Sequence, residues 1–131
     1  MMLSLQDIAN YIQTIAPDAS VYIGTLDANK EKCIGLYITN RIPSILGVGG
    51  ANNISYRILS IDLLIHWSEN SIETFNKASE IYEKLEGINN IIIGNTEIVL
   101  IEPIDSSPID LYKDMHNISE ALIRLTIYYK K

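Results

Sequence analysis

The chain has 131 residues, with 16 acidic and 10 basic side chains, a formal net charge of −6 and one cysteine. That length holds one ordinary domain, residues 1–131, and an apolar content of 47% is enough to bury a core. The acid excess argues against a protein that wraps nucleic acid, because affinity for phosphates comes mainly from Lys and Arg, and the lone Cys33 cannot close an internal disulfide.

Cys33 sits in the apolar run CIGLYI and is expected to be a buried, inert thiol. No apolar run approaches the roughly 20 residues of a membrane-spanning helix. The opening MMLSLQDIANYIQ has polar residues at helical spacing and none of the basic character of a signal peptide. Together these features predict a protein made in a reducing cytoplasm, with no membrane partner.

In chain order, Ser4 is a candidate N-cap, and Asp7 is placed to favour the positive end of a helix dipole. Leu5, Ile8, Ile12 and Ile15 form one helical stripe that Pro17 ends. Residues 20–26, SVYIGTL, and 33–39, CIGLYIT, read as two strands. The polar turn between them suggests an antiparallel hairpin.

Residues 40–53, NRIPSILGVGGANN, break all periodicity. Gly47, Gly49 and Gly50 resemble a phosphate loop only superficially. A Walker loop ends in Gly-Lys-Ser/Thr, whereas Ala51-Asn52-Asn53 follows here. A dinucleotide fingerprint opens a helix, whereas a strand pattern follows. Two readings stay open: a linker, or an apolar arm that covers Ile42, Ile45, Leu46 and Val48 against a neighbouring subunit.

The longest early strand pattern is residues 55–67, SYRILSIDLLIHW. Alternation puts Arg57, Leu59, Ile61, Leu63, Ile65 and Trp67 on a core-facing side. Tyr56, Ile58, Ser60, Asp62, Leu64 and His66 fall on a mixed side expected to be partly solvated. Asp62 and His66 are four residues apart, roughly 13 Å along a strand, too far for a catalytic pair. A second helix follows over residues 71–87, with Ser71 as N-cap, a buried stripe of Ile72, Phe75, Ala78 or Ser79, Tyr82 and Leu85, and a stop at Gly87. Two strands then flank the turn Gly94-Asn95. Residues 103–116 read as irregular, and their Asp residues lack the spacing and central Gly of a calcium loop. The last strand, residues 117–129, matches the 55–67 strand in length and alternation, so the two are expected to be neighbours.

No nucleophile, base and oxyanion donor assemble in the sequence. His66 and His116 have no partner at metal-ligand spacing, and no serine sits in a Gly-x-Ser-x-Gly elbow. The expected fold is α/β of the α+β type: one mostly antiparallel sheet with long strands, packed by two amphipathic helices on one face. Catalytic residues, metal ligands and cofactors are expected to be absent.

The order of segments, with VYIG and CIGLY in the early strands, residues 71–87 ending in LEG, and Pro108-Ile109-Asp110-Leu111 leading to the closing strand, resembles the tail-terminator and tail-completion (minor capsid) proteins of tailed bacteriophages and tail-like bacteriocins. The resemblance covers nearly the whole chain. It implies a non-enzymatic virion protein that forms a homo-oligomeric ring, a hexamer, on the head-proximal end of a tail tube. The partners so implied are the tail tube protein, the tail sheath if the tail contracts, and neck or connector proteins, with DNA only in transit through the bore. An acidic bore would let that DNA pass without sticking. The expected contact residues are Ile42, Ile45, Leu46 and Val48 in the arm, and Asp110, Leu111, Tyr112 and Met115 in the later loop. A neck or head–tail connector is the alternative within virion assembly, and an adaptor binding one protein through a sheet edge is the alternative of another class.

Overall fold

The computed structural model describes residues 3–26, 29–39 and 56–130. Its elements are α1 (Leu5–Ile15), β1 (Ser20–Ile23), β2 (Cys33–Thr39), β3 (Tyr56–His66), α2 (Ser71–Leu85), β4 (Asn89–Ile93), β5 (Thr96–Pro103), β6 (Ile109–Lys113) and β7 (Ser119–Lys130). The strands form one sheet in the order β1-β2-β3-β7-β5-β4, with β6 also paired to β7. All pairings are antiparallel except β1 with β2. The α+β architecture expected from the sequence is therefore the observed one.

The centre of the sheet is β3 against β7, paired from Tyr56↔Lys130 to His66↔Glu120. The alternation within 55–67 works as expected on the inner side from Ile61 onward, whereas Arg57, near the start of β3, is exposed and Leu59 is half-buried. Ile61, Leu63, Ile65 and Trp67 are buried, and so are Ala121, Ile123, Leu125, Ile127 and Tyr129 of β7. α2 lies across this inner face against β7, β5 and β3. α1 touches both β1 and β4, the two outermost strands of the sheet order. The sheet is therefore curled, and α1 bridges the gap between its edges. Ile8 and Ile12 are fully buried there, so truncating either to Ala would cost about 2–5 kcal/mol. Ser4 caps α1 as expected, accepting from the N–H groups of Gln6 and Asp7. Lys84 ties the helices together by donating to the Ile15 carbonyl at 3.1 Å.

The structure corrects the expected hairpin. β1 runs parallel to β2, in register from Ser20↔Cys33 to Ile23↔Leu36. Gly24, at φ +81, turns the chain out of β1, and its N–H donates to the Leu36 carbonyl at 2.8 Å. A Cβ on Gly35 would lie 2.9 Å from the Tyr37 ring and 3.1 Å from the Leu26 side chain, so any larger residue there would require those side chains to shift. Cys33 is buried, as expected.

Three other expectations shift. The N-cap of α2 is Asn70, not Ser71; its Oδ1 accepts from the N–H of Ile72 and of Glu73, each at 3.0 Å. Thr74 is buried against the Ser68 backbone, which turns Ile72 and Phe75 outward and leaves Ala78, Ile81, Tyr82 and Leu85 to the core. Residues 103–116 are not irregular throughout, because they contain β6. The hairpin about Gly94-Asn95 forms as expected, closed by Ile93↔Thr96.

Candidate docking surface

β6 and β7 form a hairpin at the end of the sheet where β3 finishes. The pairing runs Ile109↔Leu122 and Asp110↔Ala121, then resumes at Tyr112↔Glu120 and Lys113↔Ser119. Leu111 is the extra residue of a β-bulge. Asp110 Oδ1 accepts from the Tyr112 N–H at 2.8 Å, holding Tyr112 at φ 64. A bulge bends its strand and re-aims side chains. Here it leaves Leu111 41% and Tyr112 75% exposed.

Backbone geometry also fixes the tip of the hairpin. Asp114 N–H donates to the Ile118 carbonyl at 2.9 Å, and Asn117 N–H donates to the Asp114 carbonyl at 3.0 Å. Asp114 Oδ1 accepts from the N–H groups of His116 and Ile118, at 2.9 and 3.0 Å. Burial raises the Asp114 pKa, but the backbone donors at 118 and 116 and the nearby imidazoles outweigh it and hold the carboxyl below its usual range. Met115 projects from this tip, 92% exposed.

The hairpin is anchored at two points. Residues 104–108 leave β5 and rejoin β7 as β6, and Asp105 sits in that corner. Arg124 grips its carboxylate with two donors, Nε at 2.8 Å and Nη2 at 2.6 Å. The Tyr82 hydroxyl of α2 donates to the Asp105 carbonyl at 2.7 Å. Asp105 bonding lifts the Arg124 guanidinium pKa still further above its ordinary range. The second anchor is His66. It was expected on a partly solvated face, yet it is fully buried, with Nδ1 2.9 Å from Glu120 Oε2 and 3.6 Å from Asp114 Oδ2. The cause is the register: the last residue of β3 lies beside Glu120 at the start of β7, under the hairpin turn.

Beside this end an open groove of about 510 Å³ runs between the start of α2 and residues 18 and 32, with Trp67, Ile72, Asn76 and Lys77 in its lining. Lys77 Nζ lies 2.8 Å from Asp18, 3.3 Å from Glu80 and 5.1 Å from the centroid of the Trp67 ring. The Lys77 hydrogen bond holds the Asp18 carboxyl below its usual range. Ile72 stands 74% exposed on the rim.

The structure thus brings Asp110, Leu111, Tyr112 and Met115 together on one hairpin. Ile42, Ile45, Leu46 and Val48 lie outside the described residues. Their flanks, Thr39 and Tyr56, lie at the other end of β3, since Tyr56 pairs with Lys130 and His66 with Glu120. The eleven residues of β3 separate the two ends by about 33 Å. Sequence reasoning missed the His66–Asp114–Glu120 cluster. Aligning the two long strands antiparallel from their ends would have placed His66 near Glu120.

None of the described helices is long and apolar enough to cross a membrane. No curated protein matches the sequence significantly. A family model described as bacteriophage tail terminator protein matches residues 3–131, from the cap of α1 to the end of β7. On that match, spanning nearly the whole length, the chain belongs to the bacteriophage tail terminator protein family.

Proposed function

We infer that this protein closes the head-proximal end of a phage tail tube as a ring of identical subunits, a hexamer, and joins the tail to neck or head-completion proteins. The observation that carries the reading is the family match over residues 3–131. The chain acts as one unit over residues 1–131, is a component of the virion assembled in the host cytoplasm, and performs no catalysis. Its partners are further copies of itself, the tail tube protein, the sheath where the tail contracts, and the neck proteins. DNA meets it only in passing, and the net charge of −6 favours passage without adhesion.

The fold supports a two-sided role. A terminator must present different surfaces to the tube and to the head, and a lateral contact that closes by rotation gives a ring instead of a filament. The β6–β7 hairpin, with Leu111, Tyr112 and Met115, serves as one docking surface. The segment carrying Ile42, Ile45, Leu46 and Val48 serves as the other, entered from the opposite end of the sheet. Deleting the gene and imaging the particles tests the reading. Tails of uncontrolled length, restored to normal by plasmid-borne protein, are the expected result. Normal-length tails detached from heads that lack a neck piece would instead assign the chain to the connector.

A further inference from the structure

We propose that His66, Asp114 and Glu120 form a binding site for one divalent transition-metal cation of the Zn²⁺ type. The three side chains come from separate places in the chain: the last residue of β3, the β6–β7 turn and the start of β7. Their candidate ligand atoms all lie within 4.8 Å of one another. His66 is fully buried, and its Nδ1 points at two carboxylate oxygens, at 2.9 and 3.6 Å. Two carboxylates converging on one buried imidazole repel each other, and that repulsion is relieved by a proton on Nδ1, which sits at hydrogen-bond distance from Glu120, or by a cation in its place.

The geometry fits an ion. Zn²⁺ sits roughly 2.0–2.2 Å from histidine nitrogen and carboxylate oxygen, so tetrahedral ligands stand about 3.4 Å apart. The two spacings from the His66 Nδ1, 2.9 and 3.6 Å, fall on either side of that value, and all three ligand atoms lie within 4.8 Å of one another. The donors are divided by role within Asp114. Oδ1 is engaged by the backbone N–H groups of His116 and Ile118, while Oδ2 is the oxygen facing His66. The carboxylate side chains are 17% and 18% exposed, which leaves room for water as a fourth ligand. One nitrogen and two oxygens suit a borderline ion, whereas Mg²⁺ and Ca²⁺ favour all-oxygen shells. A bound ion would pin the tip of the hairpin to the end of β3, fixing how Tyr112 and Met115 are presented. The site stands on its own geometry, so it can fail without affecting the tail role, and the reverse holds too.

The test is calorimetric titration of chelator-stripped full-length protein with ZnCl₂ alone, repeated with MgCl₂. One equivalent of Zn²⁺ should bind, with no matching Mg²⁺ heat and with a rise in melting temperature. Glu120→Gln and Asp114→Asn keep side-chain shape, and each should weaken binding at least about tenfold, the least that loss even of an outer-shell partner costs. His116→Ala changes the exposed imidazole at the tip and should leave binding unchanged. Absence of stoichiometric binding by the unaltered protein overturns the proposal, as does full affinity in both carboxylate variants. Loss of binding in His116→Ala also overturns it, since the ion would then sit at the surface.

Discussion

Replacing Tyr112 by Asn and Met115 by Ser together should separate assembly from folding. Tyr112 is 75% and Met115 92% exposed, so neither contributes much burial to the free subunit. Changes at such positions usually alter folding stability by no more than about 0.5 kcal/mol. Asn also tolerates the positive φ that residue 112 adopts, whereas an aromatic side chain there is strained. In a docked state the balance reverses. Burying a large apolar side chain is worth about 1.5–3 kcal/mol, so losing two removes about 3–6 kcal/mol, or roughly 10² to 10⁴ in affinity. Urea unfolding of the purified variant should reproduce the parent midpoint closely. Complementation of a deletion phage by the same variant should fail by orders of magnitude in titre. A variant with parental stability and parental titre would refute the docking role of the hairpin. An unfolding free energy lowered by several kcal/mol would refute the premise that these side chains are free in the subunit.

Gly94→Ala should destabilise by about 1–2 kcal/mol, because residue 94 has φ +61 and a Cβ there would collide with the Asp7 carboxylate. Adding Asp7→Ser should recover the steric part and leave the conformational part, as a double-mutant cycle in urea melts would show. Ile45→Asp with Leu46→Asp should spare the melting temperature and abolish tail completion; survival of both functions would reduce that segment to a linker. Asp18 has a folded pKa depressed by Lys77, so its stabilisation is present above the unfolded value of about 3.9 and fades as pH falls through the lower folded value. Its side chain is 53% exposed, so the effect is below about 1 kcal/mol. Lys77→Met should flatten the acid limb of the melting temperature, followed by Trp67 fluorescence between about pH 4.5 and 3; parallel curves for variant and parent would remove the ion pair from the account.

The parts of the fold that could be read from sequence are those where one periodicity dominates. The alternation in 55–67 and 117–129 fixes which residues face the core, because a strand flips side chains every residue and the inner face must be dry. The turn at Gly94-Asn95 carries its own signal in two residues. What could not be read depends on contacts distant in sequence. The parallel pairing of β1 with β2 joins Ser20 to Cys33 and Ile23 to Leu36, and two strand patterns separated by a short polar segment carry no local signal that distinguishes it from a hairpin. The outward turn of Ile72 and Phe75 follows from Thr74 seated against Ser68, where side-chain hydrogen bonding overrides the apolar pattern. β6 is hidden because it is short, bulged at Leu111 and mostly exposed, so it has no alternation to detect. Asp110, Leu111, Tyr112 and Met115 are expected contact residues from the resemblance, and their grouping on one hairpin depends on the Asp110 Oδ1 bond to the Tyr112 N–H, which no sequence pattern signals.

The central claim is that subunits of this chain close the tube end. Electron cryomicroscopy of intact tails and of tails from a deletion strain measures it most directly. A ring of density that fits this fold is expected at the head-proximal end of the tube, absent from the deletion strain, whose tubes lose their fixed length. Tails of normal length joined to heads in the absence of the protein would contradict it.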